Sequence, residues 1–132
     1  MAAPGAGAVT LRRLSFLQWF GLVAGAGVWL ASLLGGVGVS QAACNPASAR
    51  WSIPYDIVQL ALAGAAVCLL VAAELAALAV FRATRDVEEQ DPPPHGRLHV
   101  LASAALLSNL IFLLIVVLTT IATVVVRTCH QA

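Results

Sequence analysis

The chain has 132 residues, of which 61% are hydrophobic and only 10% charged, and its formal net charge is +1. A soluble domain of this length cannot hide so much apolar surface, because a small globule keeps a high ratio of surface to volume. The composition therefore indicates lipid as the solvent, and the near-zero net charge gives no sign of a nucleic-acid partner.

Three long apolar stretches follow one another along the chain, at about 14–43, 57–81 and 98–126. Each exceeds the roughly 20 residues that a helix needs to cross the hydrocarbon core. Because backbone polar groups in lipid must be satisfied within their own segment, each stretch is expected to be helical throughout. The sequence thus predicts an all-α, integral membrane three-helix bundle that forms one domain over 1–132, with a Pro-rich loop at about 82–97.

The arginines predict the orientation of this bundle. All seven basic residues are Arg, and five of them fall on the side of the N-terminus and the Pro-rich loop: Arg12, Arg13, Arg82, Arg85 and Arg97. The other two, Arg50 and Arg127, fall on the opposite side. Since cytoplasmic segments carry the excess of basic residues, we expect the N-terminus and the loop inside and the C-terminus outside. A cleaved signal peptide is the alternative for the first stretch, which is however far longer than the usual apolar region of about 7–15 residues.

Two of the three cysteines are expected on the outer side. Cys44 ends the first stretch and Cys129 follows the third. Outside the cytoplasm such a pair can oxidise, so we expect a Cys44–Cys129 disulfide that ties the outer ends of the first and third helices together. Two unpaired thiols are the alternative. Cys68 lies in the middle of the second stretch and is expected to be a small packing residue.

Glu74 is the one acidic or basic residue well inside an apolar stretch. Counted by helical rise from the nearest arginines, it lies at the same depth as Ser108 and Asn109 in the third stretch. An acid inside a membrane is a functional-site hypothesis by default. Three roles stay open: a neutral, hydrogen-bonded residue that joins helices, a contact with a partner subunit, and a proton carrier.

Small residues at helical spacing predict where the helices pack. One stripe in the second stretch consists of Ala61, Ala65, Cys68, Ala72, Ala76 and Ala79. Glu74 lies on the opposite side, together with Gln59, Ala63, Leu70 and Phe81. The first stretch carries a second stripe, with the pair Gly21 and Gly25 beside it: Ala24, Gly27, Ala31, Gly35 and Gly38. Because small residues let helix backbones approach closely, we expect the first two helices to pack through these stripes.

Two segments give the chain a family resemblance. FLQWFGLVAGAGVWLASLL opens the first stretch, with Trp29 at its centre and Cys44 at its outer end, and HGRLHVLASAALLSNLIFLLIVVLTTIATVVVRTCHQA closes the chain. This layout resembles small three-helix membrane proteins found in bacterial gene clusters for haem-copper terminal oxidases of the cytochrome c oxidase type. The resemblance implies an accessory subunit or assembly helper of a respiratory oxidase, without a redox centre of its own.

No motif indicates catalysis or a bound cofactor. The sequence has no CxxC pair, no HExxH and no Gly-rich phosphate loop in a strand–helix context, and no two histidines lie within the predicted spans. We therefore expect no enzymatic activity, no cofactor and no metal. The expected function is that of a non-catalytic accessory subunit or assembly factor of a respiratory complex in the bacterial inner membrane, with lipid and other membrane subunits as partners. The alternatives are a small proton-coupled transporter or channel-forming oligomer that uses Glu74, and a membrane anchor or scaffold.

Overall fold

The computed structural model describes residues 6–45, 54–86 and 95–126. These residues form three α-helices, α1 (Ala6–Cys44), α2 (Tyr55–Ala83) and α3 (His95–Val125). All three are long and apolar enough to cross a membrane, judged by length and composition. The predicted all-helical architecture with three helices of membrane length is therefore confirmed. The helices run past most ends of the predicted apolar stretches, and most of all at the start of α1.

Local sequence accounts for both ends of α2. Pro54 is its N-cap residue, and the Pro54 carbonyl accepts hydrogen bonds from the amides of Ile57 and Val58 at 3.1 Å. A proline costs nothing there, because an N–H at the start of a helix has no partner within the helix. At the other end, the Thr84 amide bonds to the Val80 carbonyl at 3.0 Å and closes the last turn.

In the C-terminal half of α3, threonine hydroxyl groups donate hydrogen bonds to backbone carbonyls of the preceding turn. Thr119 donates to the Ile115 carbonyl and Thr120 to the Val116 carbonyl, both at 2.7 Å. Such bonds to the preceding helical turn let a polar side chain sit on an apolar helix without a free donor. α3 is helical through a segment rich in β-branched residues, which favour strands in water.

Contacts along the helices define the topology of the bundle. Gly21 of α1 lies against Ala77 of α2, whereas Ser40 and Tyr55 share a hydrogen bond of 3.2 Å at the opposite end of the same two helices. Helix α2 therefore runs antiparallel to α1. It also runs antiparallel to α3, because Thr84 at its end lies 3.1 Å from the Nδ1 atom of His99 near the start of α3. α1 and α3 are consequently parallel.

One end of the bundle gathers five arginines, and we call it the arginine end. It comprises the start of α1, the end of α2 and the start of α3, and it carries Arg12, Arg13, Arg82, Arg85 and Arg97. All five side chains are exposed. The other two arginines, Arg50 and Arg127, and residues 87–94 of the Pro-rich loop lie outside the described residues.

The buried face of α2 differs from the predicted one. Its buried residues recur at helical steps: Ala66, Leu70, Ala73, Ala76, Ala77 and Val80. Of the predicted alanine stripe only Ala76 is buried, and the rest of it is exposed, namely Ala61, Ala65, Cys68, Ala72 and Ala79. We call these five residues the outer alanine face. The prediction that this stripe packs against α1 is wrong, and so is the packing role of Cys68.

The stripe on α1 is also largely outside the bundle. Gly27 and Ala31 are exposed, and a Cβ atom added at Gly27 would meet nothing within 4 Å. Gly35 is half-buried, with a Leu62 methyl group 3.6 Å from its virtual Cβ position. The neighbouring pair Gly21 and Gly25, by contrast, is buried. Within this pair, Gly21 lies against α2 and Gly25 against α3, and α1 also contacts α2 at Gly35 and Gly36.

A physical reason explains both corrections. Glu74 and Gln59 share one side of α2, and on the outside of the bundle their polar atoms would have no protein partners. Turning this side inward brings Gln59 next to Gly36 and Glu74 next to Asn109, whereas an alanine has no polar side-chain atom that needs a partner. In the structure, the side of α2 with the polar residues, rather than the alanine stripe, faces the other two helices.

Candidate functional site

Two glycines of α1 open a space at the centre of the bundle. A Cβ atom at Gly21 would lie 3.2 Å from the Cβ of Ala77 and 3.4 Å from the carbonyl oxygen of Ala73. A Cβ atom at Gly25 would collide with the Oδ1 atom of Asn109. The missing side chains therefore let both α2 and α3 come close to the backbone of α1.

Asn109 of α3 occupies this space. It is 1% exposed, and its Nδ2 donates a hydrogen bond of 2.8 Å to the Gly21 carbonyl. The ring of Phe112, one turn further along α3, lies next to Gly25 and packs on Trp29 with ring centroids 5.7 Å apart. The amide is thus held between the α1 backbone and an aromatic pair.

Glu74 of α2 completes the group. It is half-buried, and its carboxyl group lies close enough to the Asn109 side chain to share a hydrogen bond with it. Since an amide nitrogen carries two hydrogens, Asn109 can serve the α1 backbone and the α2 carboxyl group together. Residues of all three helices therefore meet here, and we call Gly21, Gly25, Glu74 and Asn109 the polar junction.

Two acceptor atoms of the polar junction have no hydrogen-bond partner among the described residues. They are Oε2 of Glu74 and Oδ1 of Asn109, and both are buried. A buried acceptor without a partner costs about 1–3 kcal/mol. The junction thus lacks one proton donor, and a proton on the Glu74 carboxyl group would provide it. Chemically, the arrangement can join three helices or hold a transferable proton.

The remaining predicted residues lie apart from the junction. Ser108 is half-buried next to Asn109 in the sequence, and it contributes none of the hydrogen bonds given above. Cys44 is the last residue of α1 and is exposed. Cys129 lies outside the described residues, so the Cys44–Cys129 disulfide stays a prediction.

Sequence reasoning missed a second polar contact, nearer the other end of the bundle. Gly36 is buried against Gln59, whose Nε2 lies 3.1 Å from the virtual Cβ position of Gly36. The Gln59 Oε1 atom is buried without a partner among the described residues. Beside it lies a cavity of about 50 Å³ with Ser32, Thr119 and Thr123 in its wall. That volume holds a few water molecules, since one needs roughly 10–15 Å³. The sequence feature that could have revealed this contact is the polar side chain of Gln59 within an apolar stretch.

A smaller cluster of side chains lies around His99 at the arginine end. The Thr84 hydroxyl donates to the Val80 carbonyl at 2.9 Å, so its oxygen accepts from the Nδ1–H of His99 at 3.1 Å. The Phe81 ring stacks on the imidazole with centroids 4.8 Å apart. Across the described ranges, no group of three or more His, Cys, Asp or Glu residues is placed to hold a metal ion.

Comparisons with known proteins found no match to this chain. No protein-family model, no curated protein and no solved structure matches this chain. A functional proposal therefore rests on the sequence and on the geometry described above.

Proposed function

We propose that this chain is a multi-pass protein of the bacterial inner membrane, with its N-terminus inside and its C-terminus outside. The length and apolar character of the three helices support insertion. Large apolar side chains also cover the outside of the bundle, including Phe16 at 70% exposure and Val124 at 73%. Such a surface is unsuited to water but suited to lipid. The five exposed arginines at one end support the orientation.

Within the membrane, the chain serves as a non-catalytic accessory subunit or assembly factor of a respiratory complex, and a haem-copper oxidase is the partner that the sequence resemblance favours. The observation that carries this proposal is the outer alanine face. It runs along α2 from Ala61 to Ala79, beside the exposed side chains of Leu69 and Leu75, and is left uncovered by α1 and α3. Small residues on a lipid-facing helix let a further helix approach closely, which is the main source of helix association in lipid.

Co-purification tests this proposal. The chain, solubilised in mild detergent from its native membrane, is expected to migrate in a complex with other integral membrane subunits that contain haem. The double substitution Ala65→Leu with Ala72→Leu adds bulk to the outer alanine face and should release the chain from that complex. Ala104→Leu, at an exposed alanine of α3, is the matched control and should leave the complex intact. Purification of the unsubstituted chain without any partner subunit would contradict the proposal.

A second candidate is a small proton-coupled transporter or channel-forming oligomer that uses Glu74. The specific observation in its favour is the buried Oε2 atom, which has no partner among the described residues. As a structural residue, a neutral Glu74 would donate to Asn109. Glutamine keeps this shape and this donor, so Glu74→Gln should assemble and function nearly as the wild type does. Glu74→Ala should weaken helix association by about 1–2 kcal/mol at most.

The two candidates differ in the behaviour of the glutamine variant. A proton carrier must bind and release a proton, which an amide cannot do. If Glu74→Gln assembles normally while the turnover of the complex, or proton uptake by reconstituted vesicles, is abolished, the accessory-subunit proposal is wrong and the transporter takes its place. Complex yield and turnover measured for both variants decide between the two.

A further inference from the structure

A cavity of about 400 Å³ opens at the arginine end, between the start of α1 and the start of α3. Arg12 and Arg97 line it from the two helices, together with Ser15 and Gln18 of α1. Its volume falls in the range of small-molecule sites, about 300–1,000 Å³.

Two cations, Arg12 and Arg97, face this cavity from different helices. Within the described ranges, the one ion pair is Arg85 with Asp86 at 3.6 Å, so neither Arg12 nor Arg97 has a carboxylate partner there. Like charges that share a cavity repel each other, and an anion between them turns this repulsion into attraction. Arg97 also lies in the first turn of α3, where the helix dipole adds positive potential.

Gln18 provides an independent observation. It is only 5% exposed, lines the cavity, and forms no hydrogen bond with any described residue. An amide in the cavity wall without a protein partner offers two N–H donors and a carbonyl oxygen to a polar ligand group there. The Ser15 hydroxyl is a further donor in the same wall. The polar lining therefore matches a phosphate group, with two guanidinium groups and neutral donors around it.

The rest of the wall is apolar. Leu11, Leu98 and Trp19 line the same cavity, and Trp19 is 52% exposed on the outside of α1. Tryptophan is favoured at the level of lipid headgroups, where its ring meets both polar and apolar surroundings. A free phosphate ion would leave this apolar part unused, whereas a phospholipid would place its glycerol and the start of an acyl chain against it.

We propose that this cavity is a binding site for the headgroup of an anionic phospholipid, with Arg12, Arg97 and Gln18 around the phosphate and Trp19 beside the glycerol backbone. Basic pockets between membrane helices on the cytoplasmic side bind such headgroups. The inference rests on the proposed insertion of the chain in a membrane with the arginine end inside.

The binding of phosphatidylglycerol and of phosphatidylcholine to the purified chain in detergent, measured by native mass spectrometry, tests this site. The wild type is expected to bind phosphatidylglycerol at least tenfold more tightly. Arg12→Gln with Arg97→Gln should lose about tenfold or more in affinity for phosphatidylglycerol, since each arginine near an anionic surface contributes about 1 kcal/mol. Gln18→Leu, which keeps every charge, should weaken binding by several-fold.

A charge-matched control separates the cavity from the general positive field. Arg13→Gln with Arg82→Gln removes two exposed arginines from the same end that do not line the cavity, and it should change the affinity by less than twofold. An equal loss in both double variants would overturn the proposal, as would a wild type that does not distinguish the two lipids. If millimolar inorganic phosphate displaced phosphatidylglycerol, the cavity would be a site for free anions and the proposed lipid site would be wrong. Flotation with phosphatidylcholine vesicles reports insertion separately, so a chain that inserts but does not select a lipid contradicts this inference alone.

Discussion

At Gly25, the absence of a side chain decides whether Asn109 can enter the polar junction. Alanine there would collide with Asn109 Oδ1 and would lie 3.2 Å from the Phe112 ring. Packing holds Asn109 and Phe112 in place, so the collision can be relieved only if α1 and α3 move apart. We expect Gly25→Ala to lower the free energy of unfolding by about 1–3 kcal/mol, the usual cost of overpacking. Unfolding in mixed micelles with increasing dodecyl sulfate measures this change.

Gly27 provides the control two residues away. A Cβ there meets nothing within 4 Å, and alanine is the better helix former by about 1 kcal/mol in soluble helices. Gly27→Ala should therefore leave the stability unchanged or raise it slightly. Equal effects of the two substitutions would mean that the close approach at Gly25 does not govern packing.

The sequence allowed some of this junction to be predicted, but not all. Counting helical rise was enough to place Glu74 and Asn109 at one depth, and the structure brings these two side chains together. Depth says nothing about the angle around a helix axis, however. The stripe with Gly27 and the pair with Gly25 were both expected to be contact surfaces, and only the position of Asn109 shows that close approach occurs at Gly25.

At the scale of the helix, α2 illustrates how a small-residue pattern misleads. The alanine stripe was expected to be the contact surface because small residues permit close approach. Alanines are so frequent in α2 that both of its sides satisfy this criterion. The side with Glu74 and Gln59 faces the other helices, where Glu74 lies beside Asn109 and Gln59 beside Gly36, and one oxygen of each has no partner among the described residues. Had the polar residues been given priority over the alanines, the sequence would have indicated the correct face.

Adjacent alanines of α2 offer a direct test of this orientation. Ala73 is 0% exposed, and its carbonyl lies near Gly21, whereas Ala72 is exposed. Leucine at position 73 would force α1 away, so Ala73→Leu should destabilise the bundle by about 1–3 kcal/mol. Ala72→Leu has the same chemistry and should leave the stability of the isolated chain unchanged.

The same unfolding experiment serves both variants, with helicity monitored by circular dichroism. If Ala72→Leu were the more damaging of the two in the isolated chain, α2 would be rotated relative to the orientation described above. Because Ala72 belongs to the outer alanine face, its leucine variant is expected to lose a partner subunit without losing its own fold.

For the whole molecule, the arrangement of charges predicts the orientation in the membrane. The three helix ends that carry the described arginines lie together, so a single orientation puts all of them in the cytoplasm. A phosphatase reporter that is active only outside the cytoplasm should therefore be active when fused after Ala132. Fused within the 82–97 loop, it should be inactive. The reverse pattern would contradict the proposed orientation.

The parallel course of α1 and α3 carries a consequence for the cysteines. Gly25 faces Asn109 and Trp29 faces Phe112, so the two helices advance in step and end at the same side of the bundle, at Cys44 and at Val125. Cys129 follows Val125 by four residues and lies outside the described ranges. Four residues of chain span up to about 13 Å, which is comparable with the 8–10 Å between the axes of packed helices. A bond between Cys44 and Cys129 is therefore within reach.

We expect this disulfide in the mature protein, because both cysteines lie on the predicted outer side, where thiols oxidise. It would close a loop of more than 80 residues and stabilise the fold by about 4 kcal/mol in the loop-entropy model. Non-reducing peptide mapping of the Cys68→Ala variant measures it without interference, because Cys68 is a free, exposed cysteine that could exchange with the bond. The linked peptides should appear only without reductant, and Cys44→Ala should abolish them and lower the unfolding midpoint. Complete alkylation of both thiols in unreduced protein, from cells in which the Ala132 reporter is active, would disprove the bond while leaving the orientation intact.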